Sequence, residues 1–121
     1  MTDDLDDNQP VLYTGQAFQL AETDEFHHWL GSLVDRRAAT RILDRIKRAS
    51  NGNFGDVKPA GSGVSEMRIN YGPGYRVYFF RHGKALVILL CGGDKKSQKA
   101  DIAQAIRMKD EIEQGDKDKA V

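Results

Sequence analysis

Apolar residues change their spacing several times along the chain, and each change marks an element. Residues 1–10 have no periodic apolar positions and carry Asp3, Asp4, Asp6 and Asp7, the pattern of a disordered acidic tail. Over residues 11–20 a weak alternation through Phe18 and Leu20 predicts a first strand. Thr23 and Asp24 are good helix N-cap residues. Phe26, Trp29, Leu30 and Leu33 then recur at i, i+3, i+4 and i+7, one face of a helix. Asp35 restarts the pattern. Ala39, Ile42, Leu43, Ile46 and Ala49 form the stripe of a second helix, whose opposite side carries Arg37, Arg41, Arg45 and Arg48. Asn51-Gly52 tolerates a left-handed C-cap and ends it. Residues 52–63 are rich in Gly, Asn, Asp and Pro and read as a loop.

Three strands follow, over residues 64–70, 75–81 and 85–91. Tyr71-Gly72-Pro73-Gly74 is a strong turn signal between the first two, and His82 falls in the turn predicted after the second. The third strand is apolar on both faces, as a central strand covered from both sides must be. Gly92-Gly93-Asp94 leaves the sheet, and Asp94 or Ser97 caps a last helix carrying Ile102, Ala105, Ile106, Met108 and Ile112. The order β-α-α-β-β-β-α describes an α+β protein: a small, mainly antiparallel sheet with a helical hairpin packed on one face. One domain spans residues 11–113, and residues 114–121 read as a second disordered tail.

Side chains alternate across a strand, so parity sorts the basic residues. If Met67, Ile69, Val77 and Phe79 meet the helical hairpin, then Arg68, Arg76 and Tyr78 gather on the other face. Two arrangements satisfy this pattern. An aromatic among arginines suits nucleic acid, with Arg gripping phosphate and a ring stacking on a base. Alternatively, the last helix covers that face and the arginines make ordinary ion pairs.

The formal net charge of +0 hides an asymmetry. Residues 36–109 hold 16 of the 18 Lys and Arg against five acidic residues, a local excess of 11 that favours a polyanionic partner. The arginine stripe at 37, 41, 45 and 48 fits three roles: a grip on nucleic-acid phosphate, a contact to an acidic protein segment, or a solvated face. No run approaches the ~20 apolar residues of a membrane helix. The amino terminus shows neither a basic nor an apolar leader region, and Cys91 is a single cysteine, so a cytoplasmic protein without internal disulfides is expected. His27-His28 lacks a ligand partner at helical spacing, which argues against a metal site. Gly72-Pro73-Gly74 opens a strand and so does not cradle a nucleotide in the manner of a P-loop.

The strings Gly63-Val64-Ser65-Glu66-Met67-Arg68-Ile69, Gly72-Pro73-Gly74-Tyr75-Arg76-Val77-Tyr78-Phe79 and Leu89-Leu90-Cys91-Gly92-Gly93-Asp94-Lys95-Lys96-Ser97-Gln98, then Asp101-Ile102 and Ala105, resemble the RelE/ParE superfamily of type II toxins. Within it they are most similar to the HigB-like "addiction module killer" proteins. The likeness takes in residues 16–112 and leaves only the tails. It implies a RelE-like fold, a cytoplasmic toxin, and a cognate antitoxin of helix-turn-helix type. It also implies a ribosome-dependent mRNA endonuclease, with mRNA and rRNA as partners and no cofactor. The ParE branch shares the fold and poisons DNA gyrase, so that alternative stays open, as does a non-catalytic antitoxin-binding member.

By the resemblance, Arg76 of Gly74-Tyr75-Arg76 takes the position that contacts the scissile phosphate, and Lys95 and Lys96 take the basic positions before the last helix. The expected catalytic set is Arg76, Lys95 and Tyr78, the last by its chemistry alone. The expected RNA-binding set is Lys58, Arg68, Lys96, Arg41, Arg45 and Arg48. RelE itself carries lysines on the first of the three strands and a tyrosine near the last helix. Val64, Glu66, Ala100 and Asp101 stand in those regions here, so the proton-transfer group does not carry over. Tyr71, Tyr78 and His82 are substitutes by chemistry only.

Overall fold

The first two helices begin where a side chain takes up their free amides. The Thr23 hydroxyl accepts from the Phe26 amide at 3.1 Å, and the Asp35 carboxylate accepts from Arg37 and Ala38. The computed structural model describes residues 12–119, so the acidic stretch at residues 1–10 lies outside the described residues. Its elements are β1 (Leu12–Thr14), β2 (Gln19–Glu22), α1 (Asp24–Ser32), α2 (Arg36–Ser50), β3 (Val57–Gly61), β4 (Val64–Ile69), β5 (Tyr75–His82), β6 (Leu86–Gly93) and α3 (Gln98–Lys119). They form one six-stranded sheet in the order β1-β2-β6-β5-β4-β3. Only β2 and β6 run parallel, because short turns join β3 through β6 while β2 reaches β6 by a long crossover. The fold is α+β, as expected of a RelE-like chain. No helix is long and apolar enough to cross a membrane among the described residues.

The parity expected for β4 and β5 holds. Met67, Ile69, Val77 and Phe79 pack with Leu20, Phe26, Ile42 and Ile46 under α1 and α2. On the opposite face Val64, Tyr78, Phe80 and Leu90 meet Ala105, Ile102 and Ile106 of α3. Burying an aliphatic or aromatic side chain of this kind contributes about 2 kcal/mol before entropy is charged against it. Leu43, read as part of the α2 stripe, is instead 39% exposed.

Five features differ from the sequence expectation. The first strand is a hairpin of two, β1 and β2. Its turn sits on the end of α2, where the Ala17 and Phe18 amides donate to the Ser50 carbonyl at 3.1 and 2.9 Å. Only glycine fits at position 15, since a Cβ there would lie 2.4 Å from that carbonyl oxygen. The breaker-rich stretch contains β3, and Pro59 is tolerated because β3 is an edge strand. The helix α3 continues to Lys119, beyond the expected domain limit at residue 113. His82 closes β5 and is not a turn residue; its Nε2 meets the Asp116 carboxylate on α3 at 2.8 Å.

The fifth lies in β6. Tyr78 faces Cys91 and Phe79 faces Leu89, so Leu90 is an extra residue at a bulge. Its carbonyl accepts the Thr23 hydroxyl at 2.6 Å. The bulge resets the alternation, putting Cys91 beside Leu90 on the α3 face. Gly92 then lies under Trp29 and Gly93 under Asp101 and Ser97. Both glycines are the last residues of β6, not a loop that leaves the sheet.

Candidate functional site

The turn at residues 71–74 builds one wall of the site. Gly72 and Gly74 adopt φ of 56° and 81°, which lets the chain reverse tightly into β5. The Gly74 carbonyl then accepts the Arg76 Nη1 at 2.7 Å, folding that side chain back over the turn. Arg76 is only 9% exposed. Behind it, Glu66 of β4 is 4% exposed and places Oε2 3.5 Å from Arg76 Nε. The other Glu66 oxygen accepts from Gln98 Nε2 at 2.9 Å.

Arg68 lies directly opposite Arg76 in the β4–β5 register, and its Nη2 donates to Asp56 at 3.2 Å. The far wall comes from the exit of β6. The Asp94 carboxylate accepts the Lys96 and Ser97 amides at 2.9 and 3.2 Å, and the Ser97 hydroxyl donates to Asp101. Both expected capping residues therefore shape the turn into α3, and they set Lys95 at the rim. Asp56, Arg68, Asn70, Tyr75, Arg76 and Lys95 together line an open cleft of about 260 Å³.

Of its three cations, Arg76 faces Glu66 and Arg68 faces Asp56, while Lys95 makes no ion pair among the described residues. Arg68 and Arg76 also keep their Nε atoms without a hydrogen-bond partner among the described residues. Buried donors left unpaired in this way carry a desolvation cost. An anion entering the cleft meets one unpaired ammonium and two guanidiniums with donors to spare.

The other expected site residues divide. Tyr78 is 0% exposed, lies under α3 and does not line the cleft. Burial pushes its phenol pKa upward, with Glu66 and Asp101 adding to the shift, so the hydroxyl holds its proton. The register thus gives Tyr78 a packing position where the sequence suggested catalysis. Lys58 and Lys96 are exposed and stand outside the cleft. Arg41 covers the Tyr71 ring at 4.6 Å. With Asp44, Arg45, Arg48 and Asn70 they outline a smaller depression of about 160 Å³ that shares Ile69 and Asn70 with the cleft. Arg48 pairs with Asp44 at 2.9 Å on the surface.

Arg45 is only partly exposed and turns its guanidinium toward the backbone. Its Nη1 donates to the Arg68 carbonyl at 2.6 Å and its Nη2 to the Phe54 carbonyl at 2.9 Å. Burial lowers its pKa, the cost of that placement. It tethers the stretch before β3 to β4, a structural duty.

Glu66, Gln98, Asp56 and Tyr75 were not singled out from sequence. Parity alone puts Glu66 on the face of Arg68, a usable signal. Asp56 gave none, because the strand that follows it was read as loop. Among cleft-lining residues, Asp56, Tyr75 and Lys95 carry the groups able to accept or donate a proton. Cys91 lies outside this set: its thiol is buried, beneath the Asp101 carbonyl at 3.7 Å. Among the described residues no three His, Cys, Asp or Glu gather as a metal-ligand set.

Residues 28–112 match the family described as "Phage derived protein Gp49-like (DUF891)", and that stretch holds every cleft residue. The chain belongs to the Gp49-like family. Gp49-like proteins fall within the RelE/HigB-type toxin superfamily, a toxin class of toxin–antitoxin modules. An uncharacterized protein of Haemophilus influenzae is 48% identical over 94 residues, covering 78% of this chain and 95% of that relative.

Proposed function

We propose that this Gp49-like protein is a HigB-like toxin of a type II toxin–antitoxin module that cleaves mRNA on the ribosome. The observation that carries the reading is Arg76, a guanidinium nine-tenths buried at a cleft it shares with Arg68 and Lys95. Such a group, already desolvated and held at Nη1 by the Gly74 carbonyl, is pre-organised for charge that builds up on a phosphate.

The chemistry is a transesterification. The 2′-oxygen of the RNA attacks the adjacent phosphorus while the bond from phosphorus to the 5′-oxygen breaks. The products are a 2′,3′-cyclic phosphate and a 5′-hydroxyl. Arg76 and Lys95 face the non-bridging oxygens, whose charge grows in the transition state, and Arg68 takes a neighbouring phosphate. In this scheme Asp56 takes the 2′-proton and Tyr75 supplies one to the leaving oxygen, a division supported by both residues lining the cleft. Arg41 and Arg48, across Asn70, extend the cationic track for mRNA or rRNA, and Lys58 and Lys96 add exposed charge beside it. The scheme uses side-chain cations and calls for no cofactor. A cognate antitoxin, cytoplasmic like its toxin, completes the module.

The reading is tested by expressing the chain in a bacterial host and mapping transcripts by primer extension. Growth arrest with cuts inside reading frames is expected, and Arg76→Ala is expected to abolish both while keeping the circular dichroism of the parent. Arrest with intact transcripts, double-strand DNA breaks and an SOS response would overturn it in favour of a gyrase poison. The carboxylate partners of Arg68 and Arg76 favour one further reading, a non-catalytic antitoxin-binding member. That reading is selected if antitoxin affinity survives in a chain that neither arrests growth nor cuts mRNA.

A further inference from the structure

We infer that Glu66 and Gln98 form a positioning relay for Arg76, through which the first turn of α3 sets the grip of the cleft on its anion. The inference rests on the proposed role of Arg76 at a phosphate. Three elements converge on this relay: Glu66 from β4, Arg76 from β5, and Gln98, the first residue of α3. Glu66 and Gln98 are 32 residues apart in the chain, joined by one hydrogen bond of 2.9 Å.

The arrangement engages the guanidinium at Nε and Nη1 and leaves Nη2 without a hydrogen bond among the described residues. Glu66 Oε2 faces Nε at 3.5 Å, and the Gly74 carbonyl takes an Nη1 hydrogen at 2.7 Å. The Nε contact is too long and poorly aligned to count as a hydrogen bond, so charge attraction holds it. The remaining guanidinium donors are left for the cleft. Glu66 does not line the cleft, so it acts on an anion only through Arg76. A buried guanidinium needs a counter-charge, and a buried carboxylate needs its own lone pairs satisfied. Gln98 meets the second need. Without its N–H, Glu66 keeps its charge but loses the bond that fixes its rotamer, and Arg76 loses its orientation with it.

The decisive variant is Gln98→Ala in the full chain, because Gln98 is half-exposed and its removal spares the core. Glu66→Gln is the companion, keeping shape and removing charge. Three quantities are read: the solvent-exchange rate of the Arg76 Nε proton by ¹⁵N–¹H NMR, affinity for a six-nucleotide single-stranded RNA, and the thermal midpoint. The Arg76 signal is identified by its loss in Arg76→Lys. Gln98→Ala is expected to speed Nε exchange and weaken RNA binding, each by about 10-fold, while the midpoint falls by only a few degrees because one Glu66 lone pair is left unmet. Glu66→Gln is expected to move both in the same direction. If exchange and affinity hold while only the midpoint falls, Glu66 and Gln98 are packing residues and the relay is wrong. A parent chain that neither binds the RNA nor arrests growth would refute the proposed function. The exchange rates would still decide the relay.

Discussion

Replacing Tyr78 with phenylalanine removes one oxygen atom from the middle of the α3-facing core. The ring stays, and with it the contacts to Val64, Phe80, Leu90 and Ala105. The hydroxyl is fully buried and has no hydrogen-bond partner among the described residues. A buried polar group left unpaired costs roughly 1–3 kcal/mol, and none of that is offset here by a bond made in the fold. Tyr78→Phe is therefore expected to stabilise the protein by about 1 kcal/mol, the low end, since the ring must relax around the missing atom. In a domain of this size that raises the thermal midpoint by about 4 °C. Urea unfolding followed by Trp29 fluorescence gives the free energy, and an unchanged m-value shows that the surface exposed on unfolding is the same. Growth arrest is expected to persist in the variant. A loss of more than about 1 kcal/mol would mean that the hydroxyl is paired in solution and the packing argument fails. Unchanged stability with abolished toxicity would return Tyr78 to the catalytic set.

Three further outcomes follow from the same contacts. Gly92→Ala puts a Cβ 2.3 Å from the Trp29 ring, a rigid neighbour, and is expected to cost about 3 kcal/mol in chemical denaturation; less than about 1 kcal/mol would show that the ring moves freely. Arg45→Ala severs the bonds to the Arg68 and Phe54 carbonyls and is expected to destabilise by about 2 kcal/mol, whereas Arg48→Ala, which breaks only a surface pair, stays within about 0.5 kcal/mol; equal effects on stability would refute the division of the stripe. Burial pushes the Cys91 thiol from 9.0 up to about 12, with Asp101 and Glu25 adding to the shift. A folded-state pKa above the unfolded one gives stability that is complete below about pH 9 and drains away toward about pH 12. Urea midpoints should therefore fall across that window, and Cys91→Ala should flatten the decline; an equally steep decline in the variant would assign it to other groups.

Short-range regularities carried much of the architecture. The spacing of Phe26, Trp29, Leu30 and Leu33 described the inner face of α1, and Thr23 and Asp35 marked helix starts because capping is a local bond. Period-two alternation sorted β4 and β5 correctly, placing Met67 and Val77 toward one pair of helices and Arg76 and Tyr78 away from them. Where the signal was too short it failed. A strand of three residues, such as Leu12–Thr14, shows no period, and β3 is an edge strand whose Pro and Gly mimic a loop.

The sequence by itself determined that Arg68, Arg76 and Tyr78 share a sheet face, because side-chain alternation depends only on the strand they occupy. The tertiary structure decided what that face became. Docking of α3 buried Tyr78 but stopped short of Arg76, so one residue of the set entered the core and another remained at a cleft. Carboxylate partners were chosen by distance in space: Glu66 for Arg76, Asp56 for Arg68, with Gln98 reaching back across 32 residues. Arg45 and Arg48 occupy one helix and look alike in the chain, yet one is spent on backbone carbonyls and the other stays at the surface. The bulge at Leu90 depends on β5 and β6 being paired, and it swings Gly92 under Trp29 and Cys91 under α3. Local periodicity names the face a residue presents; only the packed chain supplies what that face meets.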